Sequence, residues 1–500
     1  MRGGEPLTHP HRFLGVDIGT SSSKGVLVDD SGTVLASAVR DHDVTRPAPG
    51  HVEMDARIWW DEFVSTAAEL VDASDAPITA VGVSGMGPCV LVTDSEGNPL
   101  RPAILYGVDT RATSQIARLT NELGAQSILE RCGSALSTQA VGPKLAWIRE
   151  NEPRVFAEAR RLFMPSSWLV WNLTGRYVLD HHSASQSTPL YDTDALAWFA
   201  PWADAIAPAI ELPNLVWPGD TAGGVSPAAA ELTGLPAGIP VIAGTIDAWS
   251  EAISVGAQQP GDLMLMYGTT MFLVNTLDHR VTVPELWGTV GAFEGTRNLA
   301  GGMATSGAIT SWLKNLFGTM DYATLTAHAA ESPPGANGLL MLPYFAGERT
   351  PIADPDARGV IAGLTLEHTA GDLYRAALEA TAMGVRHNIE AIFAAGGDIR
   401  RIVAVGGGTR GGLWAQIVSD VSGLPQEIPQ TTIGASYGAA FLAAKSVGAA
   451  DIHAWNPRAT LVEPDLAKRH GYVDLYCLYR DLYSATTDIA HALARRQVNG

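Results

Sequence analysis

The feature that most limits how this chain can fold is a junction repeated along it. An apolar, strand-like run ends in glycine and hydroxyl residues, and the chain then resumes as a strand or a helix. Residues 13–17 lead into Ile18-Gly19-Thr20-Ser21-Ser22-Ser23-Lys24 and then residues 25–28, which predicts strand, polar turn, strand. Asp30-Ser31-Gly32 predicts the next hairpin turn. Residues 262–266, Tyr267-Gly268-Thr269-Thr270 and residues 271–274 repeat the design. The repetition predicts two related halves, 12–257 and 258–500, with a boundary signal at Gln258-Gln259-Pro260-Gly261. Further junctions follow residues 78–83 (Ser84-Gly85-Met86-Gly87-Pro88), 240–243 (Gly244-Thr245-Ile246-Asp247) and 401–405 (Gly406-Gly407-Gly408-Thr409). Helical spacing links Trp59, Phe63 and Ala67, and also Leu373, Ala376, Ala377 and Ala380. Thr369 with Asp372 predicts a capping box for the second of these helices. Strands alternating with helices make this an α/β chain.

Charge narrows the partners. With 33 basic and 52 acidic residues the formal charge is −19, and such a field repels nucleic acid and anionic membranes. A small anion remains admissible, because backbone amides and one local Lys can hold it. No apolar run nears the roughly 18 residues needed to span a bilayer. Residues 1–12 are polar, lack an apolar signal core, and read as a loose extension. Cys89, Cys132 and Cys477 lie far apart and match no metal spacing, which points to a cytoplasmic chain without a disulfide framework.

Two turns could carry phosphate chemistry. Gly19-Thr20-Ser21 and its neighbours offer amides and hydroxyls beside Lys24, and Asp17 at the strand end suits a hard cation, directly or through its waters. Residues 268–270 offer a second such turn, so that two turns from two halves can hold one polyphosphate. As an ordinary hairpin the same residues would merely be turn formers. Neither the P-loop spacing nor a dinucleotide fingerprint occurs. Gly406-Gly407-Gly408 either is only a loop or lets a flat ring approach the backbone. Asp247, just past a strand end, is either a helix N-cap or a general base for a substrate hydroxyl. Adjacent His181 and His182 point apart and do not suggest a metal site, and Trp198, Phe199 and Trp202 read as packing. Glu348 and Arg349 form either a surface pair or a site pair.

Longer motifs go further. Gly347-Glu348-Arg349-Thr350-Pro351, Asp354-Pro355, Ala357-Arg358-Gly359, Gly363-Leu364, Asp372-Leu373 and Ala376-Ala377-Leu378-Glu379-Ala380 fit, position by position, the C-terminal signature of the FGGY family of carbohydrate kinases. Pro143-Lys144-Leu145-Ala146-Trp147-Ile148 carries the core of its N-terminal signature, with Gln139 and Val141 departing from the opening. The chain resembles that family over nearly its whole length, and within it the xylulokinase branch.

The resemblance implies two actin-like, ribonuclease H-like α/β domains flanking a catalytic cleft, with ATP and Mg²⁺ as cofactors and a small sugar or polyol as substrate. It also implies a homodimer. By likeness Asp17, Thr20, Ser21 and Lys24 form the first phosphate loop, with Asp17 serving the Mg²⁺ and Lys24 standing where glycerol kinase has an arginine. Gly268 and Thr269 meet the phosphates from the second half, with Gly307 nearby and Ser311 standing where glycerol kinase has a glutamine. Gly407, Gly408 and Gly412 flank the adenosine. Asp247 falls on the family's catalytic aspartate, and Asp109 with Arg111 on its substrate-side Asp-x-Arg.

The departures lie on the substrate side. Xylulokinases carry Ser-Gly-Gln-Met-His-Gly where this chain has Ser84-Gly85-Met86-Gly87-Pro88-Cys89, so Met86 and Gly87 face the substrate and Pro88 replaces a histidine. Ala248 replaces the amide that usually follows the catalytic aspartate, and the loop before Asp109 is one residue longer. The expected activity is transfer from ATP to a primary hydroxyl of a ketose, a pentulose such as xylulose, with Asp247 as base. The alternative within the class is a polyol such as glycerol or erythritol. From another class comes a non-kinase actin-like ATPase, told apart by ATP turnover without phosphosugar.

Overall fold

The computed structural model describes residues 11–318, 320–448 and 450–498, so the expected loose N-terminal extension lies largely outside the described residues. The chain divides into two compact units. The first comprises residues up to 258 together with 288–297 and 433–457, and the second comprises 259–287, 298–432 and the residues from 458 onward. Both are α/β, each built on a mixed sheet.

In the first unit, β1 (Arg12–Ile18), β2 (Ser22–Asp29) and β3 (Val34–Asp41) form an antiparallel meander. Helix α1 (Ala56–Asp72) follows, and then β4 (Ile78–Gly85) returns parallel to β1. Next come β5 (Thr221–Gly224), β6 (Pro240–Ile242), the two-residue β7 (Thr245–Ile246) and helix α2 (Asp247–Ser254). The sheet order is β5-β6-β4-β1-β2-β3, with β7 pairing onto β4. Trp59, Phe63 and Ala67 of α1 are fully buried in one core of this unit, as their spacing predicts. A second core, around Phe13, Val26 and Ala80, is closed by the helix Ala435–Val447. That helix approaches without intervening side chains: a Cβ on Gly15 would sit 1.9 Å from the Ser436 carbonyl oxygen, and one on Gly82 2.0 Å from that of Ala439. Any larger residue at either position would overlap helix backbone.

The second unit repeats the plan. Strands β8 (Asp262–Tyr267) and β9 (Met271–Leu277) form an antiparallel hairpin, followed by β10 (Arg297–Met303) and helix α3 (Gly307–Phe317). Strand β11 (Arg401–Val405) lies parallel to β8 as β4 does to β1, and with β12 (Gln426–Pro429) and β13 (Arg458–Val462) six of the sheet's seven strands run in the order β10-β9-β8-β11-β12-β13. Helix Ala370–Ala394 opens with the expected capping box, in which Thr369 and Asp372 exchange hydrogen bonds. Among the described residues no helix is long and apolar enough to cross a membrane.

Candidate active site

In the first unit the register gathers the polar residues at one end of the sheet. Asp17 on β1 and Thr245 on β7 both lie opposite Ser84 on β4, and Lys24 lies opposite Asp17 across the β1–β2 turn. Carboxyl ends of parallel strands are where open α/β sheets bind ligands, because helix starts and loop amides converge there. The Gly19–Ser22 turn is closed by the Gly19 amide donating to the Ser22 carbonyl at 3.0 Å. Ser21 and Lys24 are exposed. The Thr20 hydroxyl lies 2.9 Å from the Tyr106 hydroxyl and 3.7 Å from the Met86 sulfur, and the Met86 amide donates to the Ile18 carbonyl at 2.7 Å. Gly87 packs against Ile246, where a Cβ would lie 2.7 Å from Cγ1. Asp17, Thr20, Ser21, Lys24, Met86, Gly87 and Asp247 thus belong to the ends and turns of adjacent strands.

Asp247 is the first residue of α2 rather than its N-cap, which is Ile246. Its Oδ1 accepts the Ala248 amide at 2.7 Å. Burial, then the negative charge on Asp17, raises its proton affinity well above that of an ordinary carboxylate. Asp17 is also raised by burial, against the opposing pull of the Ser84 hydroxyl (2.8 Å to Oδ1) and of Lys24. One helical turn past Asp247 stands Glu251, pushed up to about 7 by burial and then by Asp17, with Lys24 opposing. Glu251 escaped the sequence reading, although i, i+4 spacing from Asp247 at a helix start was the available signal.

Asp109 is placed differently. It is buried, accepts the Val52 amide at 2.6 Å, and pairs with Arg111 at 2.7 Å, while Arg111 also pairs with Glu53 at 2.6 Å. Its carboxylate is therefore occupied within the protein. Lys144 of the N-terminal signature is buried nearby, and its ammonium finds no hydrogen-bond acceptor among the described residues. Burial lowers it to about 8, against the attraction of the Cys89 and Asp109 positions.

In the second unit the Gly268–Thr270 turn joins β8 to β9, and the start of α3 is bonded onto it. Gly307 donates to the Gly268 carbonyl at 3.0 Å, while Ser306 and Ala308 donate to that of Thr269 at 3.0 and 3.1 Å. The approach requires glycine, since a Cβ on Gly307 would sit 2.6 Å from the Gly268 oxygen. Thr269 is exposed. Ser311 lies one turn into α3 with its hydroxyl 2.7 Å from that of Tyr322. Past β11, the neighbour of β8, Gly407 and Gly412 have open space where a side chain would be, whereas Gly408 lies against the Trp414 ring. Of the Glu348–Arg349 pair, Glu348 is buried and accepts the Ala304 and Arg349 amides at 2.8 and 2.7 Å. It braces the segment leading to Gly307 and makes no surface pair. His181 bonds Tyr191 at 2.8 Å and His182 bonds the Val290 carbonyl at 2.7 Å, so both rings serve the interior.

A Mg²⁺ site need not be a complete protein cage, since Mg²⁺ is usually held by one or two carboxylates together with substrate phosphates and waters. Among the described residues no group of three or more His, Cys, Asp or Glu side chains is disposed to hold a metal. Asp17, an oxygen ligand at a strand end, fits the sparser arrangement.

Comparison with known proteins gives a consistent result. Residues 12–254 match the N-terminal domain of the FGGY family of carbohydrate kinases and residues 263–447 its C-terminal domain. The xylulose kinase of Escherichia coli K12 is 28% identical, over 90% of this chain and 92% of its own. A glycerol kinase of Nocardia farcinica is 32% identical, over 87% of this chain and 89% of its own. The crystal structure of a xylulose kinase from Rhodospirillum rubrum is 33% identical and superimposes with a TM-score of 0.90, covering 96% of this chain and 100% of that one. The resemblance read from the signatures is borne out, and the chain belongs to the FGGY family of carbohydrate kinases, a phosphotransferase family.

Proposed function

We propose that this kinase transfers the terminal phosphoryl group of ATP to a primary hydroxyl of a ketose, a pentulose such as xylulose, with Asp247 as general base. The observation that carries the reading is the setting of Asp247. Its carboxylate starts α2, directly after the residue that Gly87 packs against, and burial and Asp17 raise its affinity for a proton. A carboxylate so tuned takes a hydroxyl proton more readily than an ordinary surface aspartate. Thr20, Ser21, Lys24 and the turn amides of the first unit, with Gly268, Thr269 and Gly307 of the second, would hold the phosphates, and Gly407, Gly408 and Gly412 the adenosine. Asp17 would hold Mg²⁺, which when bound neutralises charge on the phosphates. Asp109, tied to Arg111, shapes the substrate side.

A polyol acceptor is the second reading. Pro88 is buried and offers no donor, and Ala248 presents a methyl group, so a ligand with fewer hydroxyls leaves fewer polar atoms unpaired. The glycerol kinase relative supports keeping it. The test is ADP release with MgATP against pentuloses, hexuloses, pentitols, tetritols and glycerol, with Asp247→Asn alongside. Turnover with one acceptor, reduced on the order of 10²–10⁴ in the variant, is the expected outcome. A variant retaining more than about a tenth of the rate removes Asp247 from the role of base, and acceptor-independent ATP turnover favours the actin-like ATPase.

A further inference from the structure

The first phosphate turn is gripped from behind by a side chain that no motif marks. His42 lies just past β3, and its ring spans two acceptors. Nε2 lies 3.0 Å from the Gly19 carbonyl oxygen, and Nδ1 lies 2.9 Å from Glu62 Oε2 on α1. Its own amide donates to the Ser21 carbonyl at 3.0 Å. The same Glu62 oxygen accepts the hydroxyl of Ser23, the next residue but one along the turn, at 2.5 Å. The contact is shielded, with the His42 side chain 4% exposed and that of Glu62 15%.

One side chain thus ties the Gly19 carbonyl of the turn to a carboxylate of α1. The other charged groups around it are disposed elsewhere: Asp41 and Asp43 flank it in the chain and are exposed, Arg40 is bonded to Glu69 and Ser65, and Lys24 on β2 is exposed and acts on Asp17.

We propose that His42 is a positioning residue for the nucleotide. Its ring fixes the Gly19 carbonyl, and with Glu62 holding Ser23, the turn between them presents its amides to the phosphates already ordered. This rests on the reading that residues 19–24 bind those phosphates. Without the ring the Gly19 carbonyl and the Ser21 end of the turn lose their tie to α1, the turn loosens, and phosphate affinity falls.

The test is calorimetric titration of MgADP into the full chain and into His42→Ala and His42→Gln, with KM values for MgATP and acceptor. Gln keeps an N–H for the Gly19 carbonyl. The expected result is about tenfold weaker MgADP binding in His42→Ala, with an unchanged acceptor KM. His42→Gln should bind within about threefold of wild type. Binding by His42→Ala equal to wild type overturns the proposal. If the alanine variant does not fold, His42→Asn, too short to span Gly19 and Glu62, takes its place: MgADP binding equal to wild type overturns the proposal, and binding about tenfold weaker with an unchanged acceptor KM supports it. A wild type that does not bind MgADP overturns the nucleotide reading itself, and this inference with it.

Discussion

Replacing Glu251 with Gln removes a negative charge one turn behind Asp247 while keeping the shape of the side chain. Burial, then Asp17, pushes the wild-type carboxyl up to about 7 from 4.5. A group raised in this way favours the fold when protonated. The benefit is complete below the unfolded value and is lost as pH rises through the folded one. At 1.36 kcal/mol per tenfold change in proton affinity the ceiling is about 3 kcal/mol above pH 8. Glu251 is only half-buried, so solvent screening reduces this to on the order of 1 kcal/mol. Glu251→Gln should therefore melt higher than wild type at pH 8.5, by about 2–4 °C for a unit of this size, and the difference should vanish near pH 4.5. Glu251 also raises Asp247, so the acid limb of kcat/KM should move to lower pH in the variant. Melting curves at the two pH values and a pH–rate profile check both. A variant less stable at pH 8.5, or a stability difference independent of pH together with an unmoved limb, would refute the electrostatic reasoning.

Lys144→Met should raise stability below pH 8 and lose its advantage at higher pH. A buried ammonium lowered to about 8 costs most when charged, and melting temperatures at pH 6 and 9 measure it. Ala248→Asn restores an amide beside Asp247. It should shift kcat/KM toward ketoses over glycerol by about tenfold, read in a competition assay, and no shift would detach position 248 from acceptor choice. Glu348→Gln keeps an acceptor for the Ala304 and Arg349 amides and should melt near wild type. Glu348→Ala strands both amides and should lose about 1–3 kcal/mol, with a weaker hold on MgADP because the segment entering α3 is unbraced.

The sequence announced what is local. The β1–β2 and β8–β9 hairpins follow from apolar runs broken by Gly, Thr and Ser, and the Thr369–Asp372 box from spacing alone. Asp247 was marked by its place after a strand, although as the first helical residue rather than the cap. What stayed hidden depends on long-range register. His42 and Glu62 meet only because β3 and α1 pack beside the turn, and no periodicity links positions 20 apart. Glu348 and Arg349 looked like a charge pair, yet Glu348 turns inward to amides contributed by residue 304 and by its own neighbour. The occupation of Asp109 by Arg111 and the Val52 amide was likewise out of reach, since an Asp-x-Arg pattern does not say which way the carboxylate faces.

The helix Ala435–Val447 belongs to the first unit although the second unit's sequence precedes it. Its backbone covers Gly15 and Gly82, and Tyr437 and Phe441 lie in the same buried cluster as Phe13 and Val26. On the ribosome this reverses the usual order of completion. At roughly 5–20 residues per second, about 10–35 seconds separate synthesis of residue 258 from that of residue 433. Throughout that interval the sheet of the first unit has one apolar face without its cover. The unit translated first is therefore finished late, and nascent chains stalled before residue 433 should be held by chaperones, whereas those released past residue 457 should not.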